Sequence, residues 1–249
     1  MNRSLFPESG SCHNLFLRRD NLEMKLIVFD VDGTIIDSQN IIVACINRAY
    51  EIVGLPAPER AKALSIVGLS LPSAFSVLVG RDGPIEKMTA AYKEAYAGYR
   101  MSASIASPFF DGARELIETL GKRDDLMLGI ATGKSRRGVN FIFEKYGWEK
   151  FFATVQTADD AASKPDPEML QRAMSETGVE AEKIVMIGDT TFDMEMAARA
   201  GVRSIGVTWG YHDRTALEEQ GAEALVSDYG ELGAVLEGFV LDGRLNARA

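Results

Sequence analysis

Six short apolar runs alternate along the chain with longer segments in which apolar residues recur at helical spacing. The apolar runs are KLIVFD, LMLGIAT, FATVQTAD, KIVMIGD, SIGVTWG and EALVSD, and the helical segments include GARELIETLGK, RGVNFIFEKYG, DPEMLQRAMSETG and DMEMAARAG. Strands that alternate with helices pair in parallel, because each parallel connection must cross back over the sheet. Runs this apolar are typical of strands covered on both faces. The sequence therefore predicts an α/β fold with a parallel sheet between two layers of helices.

Several of the apolar runs end in polar residues or glycine, as in FDVDG, ATGK and IGDTTFD. In an open parallel sheet, ligands bind in the crevice outside the carboxyl ends of the strands. We therefore expect these polar endings to converge on one site.

Residues 38–107 separate the first apolar run from the segment GARELIETL and have no strand character. Within them, NIIVACINRAYEIV, LPSAFSVLV and EKMTAAYKEAYAGYR carry apolar residues at helical spacing, interrupted by LPAPER and GRDGP. The sequence predicts a small helical domain at 38–107, inserted into a core domain of residues 24–37 and 108–249. Residues 1–23 are irregular, and we predict that they form a flexible N-terminal extension.

Composition argues against several classes of partner. The net charge is -9 and the isoelectric point is near 4.9, so neither nucleic acid nor an anionic membrane is expected as a partner. No apolar run approaches the roughly 20 residues of a membrane span, and the first residues lack the apolar centre of a signal peptide. Cys12 and Cys45 occur without a CxxC motif, so a disulfide framework or a zinc site is not expected. We expect a cytoplasmic protein that is a monomer or a homodimer.

Two aspartates, Asp30 and Asp32, follow the first apolar run on either side of one valine. A carboxylate held at a strand end can attack phosphorus and form an aspartyl-phosphate, which makes Asp30 the candidate nucleophile. Asp32 would then protonate the leaving oxygen and later deprotonate the attacking water. Gly33 removes side-chain bulk where the backbone turns tightly and approaches a ligand. The alternative for an isolated DxDG is an Asx turn that caps the next helix.

Two further polar endings supply candidate phosphate ligands. Thr132 and Gly133 offer a hydroxyl and backbone amides where a helix is expected to start. Lys164, in SKPDP, could neutralise both a phosphate and the nearby carboxylates. Taken singly, a threonine at a helix start is more often structural, and a loop lysine is usually solvated.

The segment GDTTFD places Asp189 just after an apolar run and Asp193 four residues later. Hard oxygen ligands with retained waters suit Mg²⁺, so Asp189, the Asp30 carboxylate and a backbone carbonyl near Asp32 make a plausible metal site. Asp193 would bind the ion through water or orient the other ligands. Its alternative role is that of an acidic residue in the first turn of a helix, where negative charge is favoured.

Taken in order, DVDGT, AT at a strand end, KP and GDTTFD resemble the four motifs of the haloacid dehalogenase superfamily of phosphotransferases. The resemblance extends from residue 25 to about residue 228. It implies a Rossmann-like core with the first strand central and a helical cap inserted after the first motif. It also implies roles for the candidate residues. Asp30 would be the nucleophile and Asp32 the general acid and base, while Thr132 and Lys164 would be phosphate ligands. Asp189 and Asp30 would bind Mg²⁺, and Asp193 matches the second acidic position of the fourth motif.

Within that superfamily, the sequence looks most similar to phosphoglycolate phosphatase-like proteins. The dehalogenases lack the second aspartate of the first motif, here Asp32, so dehalogenation is disfavoured. The resemblance implies a Mg²⁺-dependent phosphatase acting on a small phosphorylated metabolite. A pyrophosphatase, a nucleotide monophosphatase, a sugar phosphomutase and, from another class, a phospho-aspartate signalling module remain alternatives. Candidate substrate contacts in the cap are Arg81, Lys87, Tyr92 and Arg100. Arg136 and Arg137 could bind a carboxylate or a second phosphate, but they are interpreted as surface residues, as is His212.

Overall fold

The computed structural model describes residues 24–102 and 104–245. The predicted N-terminal extension, residues 1–23, lies outside this part of the chain, as does Cys12.

Six parallel strands form a single sheet within the described residues, in the order β3-β2-β1-β4-β5-β6. The first strand is therefore central, and the order reverses direction at β1, as in doubly wound folds. Each strand coincides with one of the six apolar runs, which confirms the predicted α/β fold. The strands are β1 (Lys25–Phe29), β2 (Leu126–Thr132), β3 (Phe152–Thr157), β4 (Ile184–Gly188), β5 (Arg203–Val207) and β6 (Ala224–Val226).

Ten α-helices occur in the same part of the chain, and four of them lie between β1 and β2 before the core helices begin. They are α1 (Gln39–Val53), α2 (Arg60–Leu64), α3 (Leu71–Val79), α4 (Ile85–Ser102), α5 (Ala113–Leu120), α6 (Arg136–Tyr146), α7 (Glu168–Thr177), α8 (Thr191–Ala200), α9 (Arg214–Glu219) and α10 (Tyr229–Asp242).

The sheet is buried on both faces, as the continuous apolar character of its strands predicts. Successive side chains of β1 point to opposite faces. Ile27 and Phe29 pack with residues of α5, α6 and α10, whereas Leu26 and Val28 pack with residues of α7 and α8. A single strand thus contributes to two separate hydrophobic clusters.

Helices α1–α4 form a separate helical insert with a hydrophobic cluster of its own. Cys45 and Ile46 of α1 pack in this cluster with Phe75 of α3 and Met88 of α4. Gly54 ends α1 in the left-handed conformation (φ 73°), which is common at a helix end because glycine has no Cβ. The helices agree with the pattern predicted for residues 38–107, and the division into two domains stays a prediction.

In the part of the chain that the structure describes, no helix is both long enough and apolar enough to cross a bilayer.

Candidate active site

Asp30 follows directly after β1, at the centre of the sheet. The last residue of β1 pairs with Ile130 of β2 and with Ile187 of β4. The Asp30 N–H donates to the Ile187 carbonyl at 2.9 Å. The register therefore places Asp30 between the ends of β2 and β4, where Thr132 and Asp189 occur. The polar strand endings lie together, as the sequence predicts.

Three buried carboxylates lie side by side at this edge of the sheet. Asp30, Asp189 and Asp193 each place an oxygen within 4.8 Å of the others. Burial raises the pKa of the Asp30 carboxyl to about 6, against the opposing charge of Lys164. Burial also raises the pKa of Asp189 well above its ordinary range, and the charge of Asp30 adds to that rise.

Neither carboxylate oxygen of Asp30 accepts a well-oriented hydrogen bond from the described residues. Lys164 Nζ is 3.1 Å from Asp30 Oδ1 and forms an ion pair with it. A buried carboxylate without hydrogen-bond donors is costly unless a cation or a reacting group uses its oxygens. Lys164 supplies one such cation to Oδ1, and the remaining oxygen of Asp30 is compatible with a role as a nucleophile or a metal ligand.

Lys164 is completely buried between two of the carboxylates. Its Nζ donates to Asp193 Oδ1 at 2.5 Å as well as pairing with Asp30. Burial alone would lower the pKa of Lys164, but the charges of Asp193 and Asp30 outweigh it, so the pKa is raised and the ammonium is retained. From the sequence alone, Lys164 could also have been a solvated loop residue, and its burial excludes that alternative.

Asp193 lies in the first turn of α8, and its carboxylate also belongs to the acidic cluster, so the two positions that the sequence presented as alternatives are compatible. It is the third residue of α8 and closes a capping box with Thr190, in which its Oδ2 accepts from the Thr190 N–H at 3.1 Å and from Thr190 Oγ1 at 2.7 Å. Its other oxygen is the one that pairs with Lys164. The helix cap therefore fixes the carboxylate at the site instead of competing with a role there.

Asp189 is held by the backbone and by one hydroxyl. Its Oδ1 accepts from Thr34 Oγ1 at 3.0 Å, and its Oδ2 accepts from the Tyr211 N–H at 2.9 Å. Gly33 has φ 90°, and a Cβ at this position would overlap the Asp189 carboxylate. Residue 33 must be glycine because its backbone lies close to the Asp189 carboxylate. A contact of Gly33 with substrate stays a prediction.

The acidic cluster fits a small divalent cation. Its donors are hard carboxylate oxygens, the type that Mg²⁺ prefers, and those of Asp30 accept no well-oriented hydrogen bond from the described residues. The single ammonium of Lys164 cannot balance three ionised carboxylates. Asp32 does not place its carboxylate in this cluster, because it pairs with a different lysine, so its contribution through a backbone carbonyl stays a prediction.

Lys134 is a site residue that was not singled out from the sequence. Its Nζ lies 2.7 Å and 2.9 Å from the two carboxylate oxygens of Asp32, and both side chains are largely buried. The ammonium also lies 5.1 Å from the ring centre of Tyr96 in α4. Burial alone would lower the pKa of Lys134, but the charge of Asp32 outweighs it, so the pKa is raised. This lysine directly follows Thr132 and Gly133, the two residues of the segment ATGK that were predicted to lie at the site.

Thr132 and Gly133 lie at the end of β2, as predicted, but they do not start a helix. Ser135 is the N-cap of α6, where its side chain accepts from the Gly138 N–H, and the helix begins at Arg136. The expected helix start was therefore three residues too early. Thr132 is buried beside Asp30. Its role as a phosphate ligand stays a prediction.

The insert contacts the core next to the site. The Ser70 N–H donates to Ser163 Oγ at 2.8 Å, beside Lys164. His212 was wrongly interpreted as a surface residue, because it is partly buried between core and insert. Its Nδ1 accepts from the Thr191 N–H at 3.1 Å, so the proton is on Nε2, which lies 3.3 Å from the Ser65 carbonyl.

Tyr211 joins the same boundary to the acidic cluster. Its hydroxyl is hydrogen-bonded to the N–H and the hydroxyl of Ser38, where the insert begins, and its own N–H is bound to Asp189. Neither His212 nor Tyr211 had a motif that marked it in the sequence.

A cavity of about 290 Å³ lies between the core and the insert. The core residues Asp30, Asp32, Thr132 and Lys134 line one side of it. We call this cavity the chamber.

The cap residues predicted to contact substrate divide into two groups. Tyr92 and Arg100 of α4 line the chamber, whereas Arg81 and Lys87 are exposed and do not line it. Arg137 lines the chamber at its exposed rim.

Comparison with known proteins agrees with this arrangement over most of the chain. A family model described as haloacid dehalogenase-like hydrolase matches residues 27–207. A probable phosphatase, IndB of Dickeya dadantii, is 33% identical over 210 residues, which cover 83% of this chain and 91% of that protein. A phosphoglycolate phosphatase of Vibrio parahaemolyticus is 28% identical over 221 residues, 84% of this chain and 95% of its own. A crystal structure of a hydrolase from Pseudomonas syringae has a TM-score of 0.75 at 26% identity and covers 86% of this chain and 98% of its own.

Proposed function

The chain belongs to the haloacid dehalogenase-like hydrolase family, and on that premise we propose that it is a Mg²⁺-dependent phosphatase. It hydrolyses a small phosphomonoester through an aspartyl-phosphate on Asp30. The relatives include a probable phosphatase and a phosphoglycolate phosphatase, which supports the reaction class. The predicted similarity to phosphoglycolate phosphatase-like proteins does not specify the alcohol that is esterified to the phosphate.

The observation that carries this proposal is the state of Asp30. Its carboxylate is buried at the end of the central strand, lines the chamber, and has no well-oriented hydrogen bond from the described residues. A carboxylate that served only to stabilise the fold would be expected to accept hydrogen bonds, as most buried polar groups do. Asp30 is instead oriented by its backbone and by one ion pair.

In the first step, an Asp30 oxygen attacks the phosphorus atom and the bond from phosphorus to the ester oxygen breaks. The leaving oxygen receives a proton from Asp32. In the second step, water attacks the phosphorus atom, Asp32 accepts the proton of that water, and the bond to Asp30 breaks to release inorganic phosphate. The ion pair with Lys134 favours the carboxylate form of Asp32, which the second step requires. The proton that Asp32 accepts from water in the second step is the one that it donates to the leaving oxygen of the next turnover.

Lys164 and the acidic cluster provide the charges around the transferred group. Asp30, Asp189 and Asp193 would hold Mg²⁺, which when bound supplies positive charge to the phosphate oxygens and to the nucleophile. Lys164 keeps its ammonium at the same place. Thr132 lines the chamber beside Asp30 and is the candidate donor to a phosphate oxygen.

A phospho-aspartate signalling module fits the observations less well. Such a module needs a long-lived aspartyl-phosphate, whereas Asp32 lines the chamber next to Asp30 and can activate water. It also has no need for a helical insert that encloses a chamber over the aspartate.

The first test is phosphate release from a panel of small phosphomonoesters and pyrophosphate, with Mg²⁺ and with EDTA. We expect Mg²⁺-dependent release by the wild type and no turnover by Asp30→Asn, because the amide cannot attack phosphorus. Asp124→Asn is the matched control, since Asp124 is exposed and lies outside the chamber. Turnover by a folded Asp30→Asn protein would refute the nucleophile, and release that persists in EDTA would refute the metal dependence.

A further inference from the structure

The chamber differs in chemistry from one end to the other, and this difference bears on the substrate. We propose that the alcohol part of the phosphomonoester is a bulky, predominantly apolar group, of the size of a phenyl ring or a branched alkyl chain. This inference rests on the proposed phosphatase function and adds the class of substrate to it.

The insert side of the chamber is apolar. The residues that line it come from α1, α3 and α4 and from the loop before α3, and all of them except Lys93 are buried or partly buried. They include Ile42, Ile46, Ile66, Leu71, Phe75 and Tyr92. The polar side chains on the insert side are those of Tyr92, Tyr96, Lys93 and Arg100, and the other side chains that line it there are apolar.

A row of contacts leads from the acid–base residue into this apolar region. Lys134 pairs with Asp32 and lies 5.1 Å from the ring centre of Tyr96. Tyr96 stacks on Tyr92 with ring centres 6.2 Å apart, and Tyr92 meets Phe75 edge-on at 6.2 Å. A leaving oxygen beside Asp32 is therefore attached to a carbon group that extends along aromatic side chains.

A short anionic alcohol does not fit the same place. The carboxylate of phosphoglycolate lies one carbon from the ester oxygen, so it would sit close to Asp32. The nearest cation, Lys134, already binds both oxygens of Asp32. A second carboxylate there would meet a like charge and an apolar wall, which makes its burial costly.

The other cations of the chamber lie at its rim. Lys93 and Arg137 are exposed. The guanidinium of Arg100 lies over the ring of Phe141, on the outer part of α6, at 4.4 Å from the ring centre. These charges are therefore placed to contact the far end of a long alcohol and not a carboxylate three bonds from phosphorus.

The size of the chamber agrees with this. A volume of about 290 Å³ is close to the lower limit of small-molecule sites, which start at roughly 300 Å³, and it exceeds what a phosphate with a two-carbon acid would fill. The apolar surface left uncovered by a small substrate would stay in contact with water. Covering it with a phenyl-sized group is expected to raise kcat/KM by roughly 50-fold, from the gain per buried area.

The experiment compares kcat/KM of the full chain with Mg²⁺ for ethyl phosphate, 2-phenylethyl phosphate and 2-phosphoglycolate. All three esters carry phosphate on a CH₂ group, so they differ mainly in what the chamber must hold. We expect 2-phenylethyl phosphate to exceed ethyl phosphate by roughly 50-fold, and phosphoglycolate to be no better than ethyl phosphate. Preference for phosphoglycolate, or equal rates for the two neutral alcohols, would overturn the inference and leave the phosphatase standing. Absence of phosphate release from every ester would overturn both.

A variant tests whether the chamber causes the preference. Ala97 of α4 lines the chamber, and Ala97→Phe would fill part of it. We expect the ratio of kcat/KM for 2-phenylethyl phosphate over ethyl phosphate to fall at least tenfold. Ala90→Phe is the matched control, because Ala90 lies on the same helix but is exposed and outside the chamber. An unchanged ratio in a folded Ala97→Phe protein would contradict the proposed location of the alcohol.

Discussion

Lys134 connects the proposed acid–base residue to the helical insert. Its ammonium binds both oxygens of Asp32 from the core side and lies against the ring of Tyr96 from the insert side. Because the Asp32 side chain is 13% exposed and that of Lys134 is 9% exposed, the pair is weakly screened by solvent. The lysine therefore fixes the direction of the carboxylate, and it does so best when the insert is in place.

We predict that Lys134→Met lowers kcat by about 100-fold for an alkyl phosphate, the size of effect typical of general acid–base catalysis. The loss should be smaller for p-nitrophenyl phosphate, whose leaving group needs no proton. Lys134→Arg should recover part of the rate, because a guanidinium can also bind a carboxylate through two donors. Steady-state kinetics of the three proteins on both esters checks this. Equal losses on the two esters would indicate a purely structural role for the lysine.

A residue of the site was predictable from the sequence where its position next to a strand or a helix already indicates its place in the fold. Asp30, Lys164, Asp189 and Asp193 follow strands or open a helix, so the order of elements alone brings them to one edge of the sheet. The pair between Lys134 and Asp32 joins positions 102 residues apart, and its second partner lies on an inserted helix. Such a contact depends on how the insert packs, which the motifs do not specify.

Among the elements, the loop before α3 lies directly against the end of β2. A Cβ on Gly133 would be 2.5 Å from the Gly68 carbonyl oxygen and 2.7 Å from that of Leu69. These are backbone atoms, so they cannot move aside as a flexible side chain can. The end of β2 and this loop can therefore touch only because residue 133 is glycine.

We predict that Gly133→Ala prevents the insert from closing on the core and lowers kcat/KM at least tenfold. The added methyl group would force the loop away from Thr132 and Lys134, which opens the chamber to water. Kinetics together with limited proteolysis of the insert loop checks this, since an open insert is cleaved faster. An active Gly133→Ala protein with unchanged proteolysis would show that the loop can shift at little cost.

Gly98→Ala is the matched control for this substitution. Gly98 lies within α4, is exposed, and has no heavy atom within 4 Å of where its Cβ would be. Alanine in a helix interior is favoured over glycine, so we expect the free energy of unfolding to rise by about 0.5–1 kcal/mol with activity unchanged. A loss of activity in Gly98→Ala would mean that α4 tolerates no change, and that Gly133→Ala could not be interpreted through the loop.

The strands were predictable and the ends of some helices were not, for a physical reason. A buried parallel strand is continuously apolar, so each of the six runs identifies itself. The start of α6 depends on one side chain, since the Ser135 oxygen rather than that of Thr132 accepts the amide of the first turn. Serine and threonine are both good N-cap residues, so the letters ATGKS do not decide between them.

For the molecule as a whole, the acidic cluster is a source of instability that the proposed function requires. Three carboxylates with one lysine are held in a space from which water is excluded, and the pKa values of Asp30 and Asp189 are raised as a result. A group whose pKa is higher in the folded than in the unfolded chain contributes stability at low pH, and that contribution is lost as pH rises. The cation that the cluster fits would restore it at neutral pH.

The last prediction follows from the sign of that linkage. Without metal, the Asp30 carboxyl has a pKa of about 6 in the folded chain against an ordinary value near 3.8, so its contribution to folding should decline as pH rises from about 4 through about 6. Asp30→Asn removes this decline. In EDTA at pH 7.5, the variant should therefore be more stable than the wild type, by a difference on the order of 2–3 kcal/mol that vanishes near pH 4.

Urea unfolding of both proteins from pH 4 to 7.5, with EDTA and with Mg²⁺, measures this difference directly. Subtracting the two proteins cancels the carboxylates that they share, such as Asp125, whose pKa is lowered by its hydrogen bond with Arg123 and which therefore has the opposite dependence on pH. Added Mg²⁺ should stabilise the wild type more at pH 7.5 than at pH 4.5, because protons compete with the ion for the carboxylates. A wild type that is more stable than Asp30→Asn in EDTA at pH 7.5 would mean that Lys164 alone compensates the buried charge, and the case for a cation in the cluster would then lose its energetic basis.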